Sequence, residues 1–171
     1  KDDINSKRRN MIRKSQKEGV EIKKFTDEQG LRSFYDVYRE ASKRFSARQL
    51  DYHFFEEMFF KSPNIQLHLY AAYKDNVQLA NVGIVSDKDY SFYWLGNNAN
   101  DAKNIGQGEL LQWHTIKKMK EKGCKYYDLC YIEPEKLPHI YKFKKGFSKS
   151  KHEIKLVNNK PFPFKVVNKL F

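Results

Sequence analysis

Between residues 31 and 71 the apolar residues change period. Leu31, Phe34, Tyr35, Tyr38, Ala41 and Phe45 recur at three-and-four spacing, which puts them on one helix face. Ile65, Leu67, Leu69 and Ala71 alternate, which is the period of a strand with one face on a core. A chain that carries both patterns must layer helices against a sheet. Its 171 residues suffice for one such domain with a sizeable core and are few for two.

The remaining elements follow from the same reading. Residues 6–18 form a basic helix or arm, with Gly19 at its C-terminal cap. Residues 20–25 are a short strand. Thr26 and Gln29 make a capping box for the helix that carries Leu31. Asp51 caps a second helix with Phe55, Met58 and Phe59 on one face, ended by Ser62-Pro63-Asn64. Strands over 65–71, 77–85 and 90–95, joined by turns at 74–76 and 86–89, make an antiparallel meander. A polar loop over 96–108 leads into a helix that ends at Gly123. Residues 125–131 are a strand, Glu133-Pro134 starts a further helix stopped by Gly146, and 153–157 is a last strand. The helix after the loop joins two strands that can lie parallel, as a crossover requires. The fold class is α/β with a mixed sheet: a basic arm over 1–19, then a single domain over 20–171.

Charge and cysteines narrow the surroundings. The formal net charge of +12 attracts polyanions such as nucleic acid, nucleotide diphosphates or anionic lipid, or else marks a lysine-rich solvated surface. Aromatics make up 15% of the chain, which argues against disorder. No apolar run is long enough to span a membrane. Cys124 and Cys130 sit too far apart along one strand to bridge, and no further ligand pattern suggests a metal. A reducing cytoplasm is the expectation. The chain opens on Lys1 rather than Met and shows no secretory leader, so a segment ahead of it is to be expected.

One loop stands out chemically. Lys103-Asn-Ile-Gly106-Gln-Gly108-Glu runs straight into a helix. Glycines let backbone N–H groups approach an anion, and the helix start adds partial positive charge. A pyrophosphate fits such a place. A loop that needs glycine only to turn gives the same pattern. The five histidines have no Ser or Cys partner at a hydrolase spacing, and His114 reads as structural.

The element order resembles that of the GNAT N-acyltransferases. Lys103-x-x-Gly106-x-Gly108 is similar to the loop that holds coenzyme A in that family, with lysine in the first place. Four further stretches resemble the Fem-type peptidoglycan aminoacyltransferases. They are Arg8-Arg-Asn-Met-Ile-Arg-Lys-Ser-Gln-Lys-Glu-Gly-Val20, Arg48-Gln-Leu-Asp-Tyr52, Leu111-Gln-Trp113 with Tyr127-Asp128-Leu129, and Tyr141-Lys-Phe143-Lys144-Lys145-Gly146-Phe147. Together they cover most of the chain in the expected order. Fem-type enzymes usually carry two GNAT-like domains, and this chain resembles the second.

The resemblance implies roles. Lys144, after Phe143, matches the lysine that meets the donor and stabilises the charged intermediate, with Phe143 as a substrate-binding neighbour. Arg48 matches an arginine that holds the diphosphate of the cell-wall precursor. Tyr141 lies near the general-acid tyrosine of GNAT enzymes, although an ungapped register puts Lys142 there. Asp128 orients a base or caps the sheet end. Lys103, Gly106 and Gly108 would bind the donor, with no metal and no tightly bound cofactor. The implied donor is aminoacyl-tRNA, or alternatively acyl-CoA. The implied acceptor is an amine of a cell-wall or lipid-linked precursor, met at the inner membrane surface. Arg8, Arg9, Arg13, Lys14 and Lys17 would touch tRNA phosphates or anionic lipid, or be a solvated helix face. A silent basic domain that binds RNA or membrane is the reading from another class.

Overall fold

The computed structural model describes residues 4–150, so the expected strand over 153–157 lies outside the described residues. Five strands form one sheet in sequence order: β1 (Glu21–Phe25), β2 (Gln66–Lys74), β3 (Val77–Asp87), β4 (Tyr90–Asn98) and β5 (Tyr126–Asp128). The first four pair antiparallel, and β5 joins β4 in parallel. The β2–β3 turn is Asp75-Asn76 with both residues at positive φ, the backbone of a two-residue hairpin whose twist suits the strands.

One face of the sheet carries α2 (Glu28–Arg44) and α3 (Tyr52–Glu56), which runs on into a π-helical turn over Glu57–Lys61. Leu31, Phe34, Tyr38 and Phe55 are buried there against Leu67, Leu69 and Val85. The cap of α2 is Asp27, whose side chain accepts from the Gly30 N–H at 2.8 Å, and not Thr26. Gly30 is forced by the same corner, since a Cβ on it would stand 2.7 Å from the Phe25 side chain. Phe45 leaves the expected apolar face: α2 ends at Arg44, and Phe45 is 69% exposed.

The other face carries α1 (Ser6–Lys17), α4 (Gln107–Glu121) and α5 (Pro138–Lys145). Ile4 and Ile12 of the α1 region share this core with Tyr70, Val82, Ile84, Leu110, Leu111 and Met119. The basic segment is therefore one wall of the same layered body. Two expected boundaries move. β5 stops at Asp128 because Cys130 takes a positive φ of 61°, and residues 134–136 are a turn, so α5 begins at Pro138. Proline suits that first helical position, where its missing N–H would have no partner. Both cysteines are free.

Candidate active site

β4 and β5 stay together for three residue pairs, Tyr90–Tyr126, Ser91–Tyr127 and Phe92–Asp128. Buried Ser91 seals the seam by donating from Oγ to the Tyr126 carbonyl at 2.8 Å. Beyond Phe92 the strands part. Opposite β3, Ile84 pairs with Tyr93 while Gly83 pairs with Leu95, which leaves Trp94 as an extra residue, a β-bulge. Bulges bend a strand and raise its twist. Trp94 and Leu95 both turn to the α2–α3 layer, and Tyr93 lies over Gly96 on the other face, where any Cβ would strike its hydroxyl.

Beyond this point a cleft of about 570 Å³ lies over β3 and β4. Its floor is Ala80, Val82, Tyr93 and Gly96; α4 supplies Gln107, Gly108, Leu111 and Gln112, and α5 supplies His139, Ile140 and Phe143. At the mouth, the Arg44 guanidinium donates to the Asn98 carbonyl at 3.0 Å and lies 5.0 Å over the exposed Phe45 ring.

α4 begins at this cleft with no side-chain cap. Its first N–H groups, those of Gln107, Gly108 and Glu109, precede any helical carbonyl. The two amides before them are taken: Ile105 N–H donates to Gln107 Oε1 at 2.9 Å, and Gly106 N–H to Asn104 Oδ1 at 3.1 Å. The two glycines differ. Gly106 has φ 93°, and a Cβ there would stand 2.3 Å from the Met11 carbonyl oxygen, so the packing of α1 requires glycine. Gly108 borders the cleft, and a Cβ there would find only Phe143 at 3.9 Å. Lys103 is exposed.

α1 braces both helices. Arg8 is ion-paired with the buried Glu109 of α4, donates to the Lys142 carbonyl at 3.2 Å, and lies 4.9 Å over the Phe143 ring. Phe143 thereby becomes a fixed wall of the cleft. Its neighbour Lys144 is half-buried, with Nζ 5.5 Å from the centre of the Tyr93 ring. Burial pulls the Lys144 ammonium below the usual lysine pKa, against the fields of Cys130 and Asp128, which raise it. Burial pushes the Tyr93 phenol up to about 12.

The remaining sequence candidates fall elsewhere. Both Asp128 oxygens are engaged: Oδ2 accepts from the Tyr90 hydroxyl at 2.5 Å and Oδ1 from the Cys130 N–H at 2.7 Å. Tyr141 stands outside the cleft wall, with Lys145 Nζ 5.7 Å from its ring. Arg48 is exposed on a loop held by Tyr38, whose hydroxyl accepts from Leu50 N–H at 2.9 Å. Arg44, the last residue of α2, is the arginine at the mouth. Among the described residues no group of three or more His, Cys, Asp or Glu could hold a metal ion, and no helix is long and apolar enough to cross a membrane.

The sequence profile of the acetyltransferase (GNAT) domain matches residues 6–145. The chain belongs to the GNAT acetyltransferase family. It is an acyltransferase domain, and its splayed β4–β5 pair is the family's mixed-sheet architecture. No curated protein sequence matches the chain. Among solved structures, FemX superposes with a TM-score of 0.69 at 13% identity, over 84% of this chain and 54% of that one. The chain thus spans about half the length of FemX. An aminoglycoside acetyltransferase from an uncultured soil metagenomic sample, solved with sisomicin, has a TM-score of 0.63 at 12% identity, over 83% and 96%. The aminoglycoside N-acetyltransferase AAC(6')-Iy, solved with CoA, has a TM-score of 0.59 at 14% identity, over 82% and 95%. At these identities the likeness is one of fold.

Proposed function

We propose that this GNAT domain transfers an aminoacyl group from the 3′ end of an aminoacyl-tRNA to an amine of a cell-wall or lipid-linked precursor. The observation that carries the reading is the position of Lys144. Its ammonium stands against the ring of Tyr93, a residue of the cleft floor, where β4 leaves β5, and its neighbour Phe143 lines the cleft that leads to the uncapped start of α4. The acceptor nitrogen attacks the ester carbonyl and builds an oxyanion. A fixed ammonium in a half-buried setting stabilises that charge more than water does. Collapse expels the 3′-hydroxyl, which takes up the proton the amine loses.

The start of α4 favours this donor. With the Ile105 and Gly106 amides occupied, three free N–H groups remain, enough for one phosphodiester rather than an extended pyrophosphate cradle. Lys144 and Phe143 form the donor end of the site. Arg48, with Arg44 at the mouth, is the candidate for an acceptor diphosphate, and Tyr141 and Asp128 support the walls around Lys144. The exposed basic residues of α1, including Arg13, Lys14 and Lys17, suit contact with tRNA phosphates or anionic lipid at the cytoplasmic membrane face.

A second reading keeps the chemistry and changes the donor to acyl-CoA. It is favoured by the family match and by the open space beside Gly108. The test is transfer to a peptidoglycan-precursor amine from an aminoacylated CCA-ended RNA helix or from acetyl-CoA, with parent and Lys144→Met proteins. Transfer from the RNA, lost in the variant, supports the first reading. Transfer from acetyl-CoA alone establishes the second, and transfer from neither refutes both.

A further inference from the structure

Gln112 lies one helical turn after Gly108 on α4, is 1% exposed, and belongs to the cleft wall. Its Nε2 is 2.9 Å from the Tyr127 hydroxyl oxygen, and Thr115 Oγ1 is 2.9 Å from the same oxygen. Thr115 Oγ1 also donates to the Gln112 main-chain carbonyl at 3.0 Å. A hydroxyl has one proton. That of Thr115 is committed to the carbonyl, so Thr115 must accept from Tyr127. The Tyr127 proton is then committed to Thr115, so its oxygen must accept from Gln112. Burial raises the Tyr127 pKa above the ordinary tyrosine value, which keeps that proton in place.

Gln112 Nε2 faces Tyr127, and Oε1 is left buried without a partner. A buried carbonyl oxygen with no donor destabilises the empty protein. Among the described residues none donates to it.

We propose that Gln112 is a specificity-determining contact of the donor site, in which Oε1 accepts a hydrogen bond from an N–H of the acyl donor. The inference rests on the acyl-transfer reading above. One turn of helix, about 5.4 Å, separates Gln112 from the free N–H groups suited to a phosphate. A donor anchored there and lying along the cleft floor towards Tyr93 meets Gln112, which lines the same cleft. Both donor classes carry the required group: an aminoacyl ester has an α-ammonium beside its carbonyl, and acyl-CoA has amide N–H groups in its arm.

The test is Gln112→Leu, which removes the orphaned oxygen together with the Nε2 bond to Tyr127 and leaves the Tyr127–Thr115–carbonyl bonds in place. Thermal unfolding is measured on the free protein. Binding is then measured to acetyl-CoA and to a 3′-aminoacylamino-3′-deoxyadenosine 5′-phosphate, a stable mimic of the aminoacyl-RNA end. The expected result is a variant that unfolds at higher temperature than the parent when empty, yet binds about tenfold more weakly to the probe the parent takes. A purely structural glutamine would give the reverse, lower stability with unchanged binding, and that result overturns the proposal. If the parent binds a probe and the variant binds it equally, the Gln112 assignment falls alone. If the parent binds neither probe, the donor reading falls and takes this inference with it. Gln112→Glu separates the sources: tighter binding of the aminoacyl probe assigns the contact to the α-ammonium, and weaker binding of acetyl-CoA assigns it to a neutral amide.

Discussion

The Lys144 ammonium stands 5.5 Å from the centre of the Tyr93 ring, where β4 leaves β5. A cation over an aromatic face is held electrostatically without giving up its protons to an acceptor. Lys144 therefore keeps N–H groups to offer to a developing oxyanion. Replacing it with Met should lower turnover about 10²- to 10³-fold with little change in donor affinity. Its pKa is pulled down by burial, so activity that needs the ammonium should fall at a pH below that of an ordinary lysine. A pH–rate profile checks this, and Lys144→Arg should remove the alkaline limb wherever it retains activity.

The two loop glycines should respond oppositely. Gly106→Ala puts a Cβ 2.3 Å from the Met11 carbonyl oxygen at a φ of 93°. It should destabilise the domain by at least about 2 kcal/mol. Gly108→Ala places a methyl in open space within the first turn of α4 and should be neutral or stabilising by about 0.5–1 kcal/mol. Chemical denaturation of the two variants measures the difference. Equal losses would contradict the contact between α1 and the loop.

Arg8 and Glu109 form a nearly buried pair, with side chains 12% and 7% exposed. Removing one partner leaves the other charge without compensation. Arg8→Met and Glu109→Gln should each cost about 3–5 kcal/mol, and the double variant should cost less than the sum. A double-mutant cycle in urea reads the coupling. Additive losses would mean that Arg8 acts through its stacking on Phe143 and its bond to the Lys142 carbonyl.

His68 gives the fold an acid limit. It is buried against the Ser86 hydroxyl at 2.8 Å, and burial lowers its pKa from 6.5 to about 4. The unfolded chain takes up a proton below pH 6.5 that the folded one refuses until about pH 4. Stability is therefore full above pH 6.5 and declines through that interval, by about 3 kcal/mol for this group. His68→Gln should flatten the decline, as unfolding temperatures at pH 7 and pH 4.5 will show.

Much of this architecture is legible in the sequence because it is set by local periods. The helical spacing from Leu31 to Ala41, the alternation from Leu67 to Ala71 and the glycine before α4 each leave a pattern within a few residues. Near misses arose where two neighbours could do one job: Thr26 and Asp27 are both good caps, and the position of the Phe25 ring selects Asp27 with Gly30. The site is less legible because it is assembled across long separations. Arg8 and Glu109 are 101 residues apart, and nothing local in either pairs them. Lys144 is one of several lysines in α5, and only the turn of that helix puts it on Tyr93. Gln112 is invisible as a site residue until the protons of Tyr127 and Thr115 are counted.

The bulge at Trp94 has a meaning for descent. β3 and β4 run in register up to Ile84 and Tyr93, and resume at Gly83 and Leu95 with one residue over. Removing that residue would restore strict alternation without moving any neighbour to the opposite layer. A single codon therefore separates a β4 of strict alternation from one that is bent where it borders the cleft.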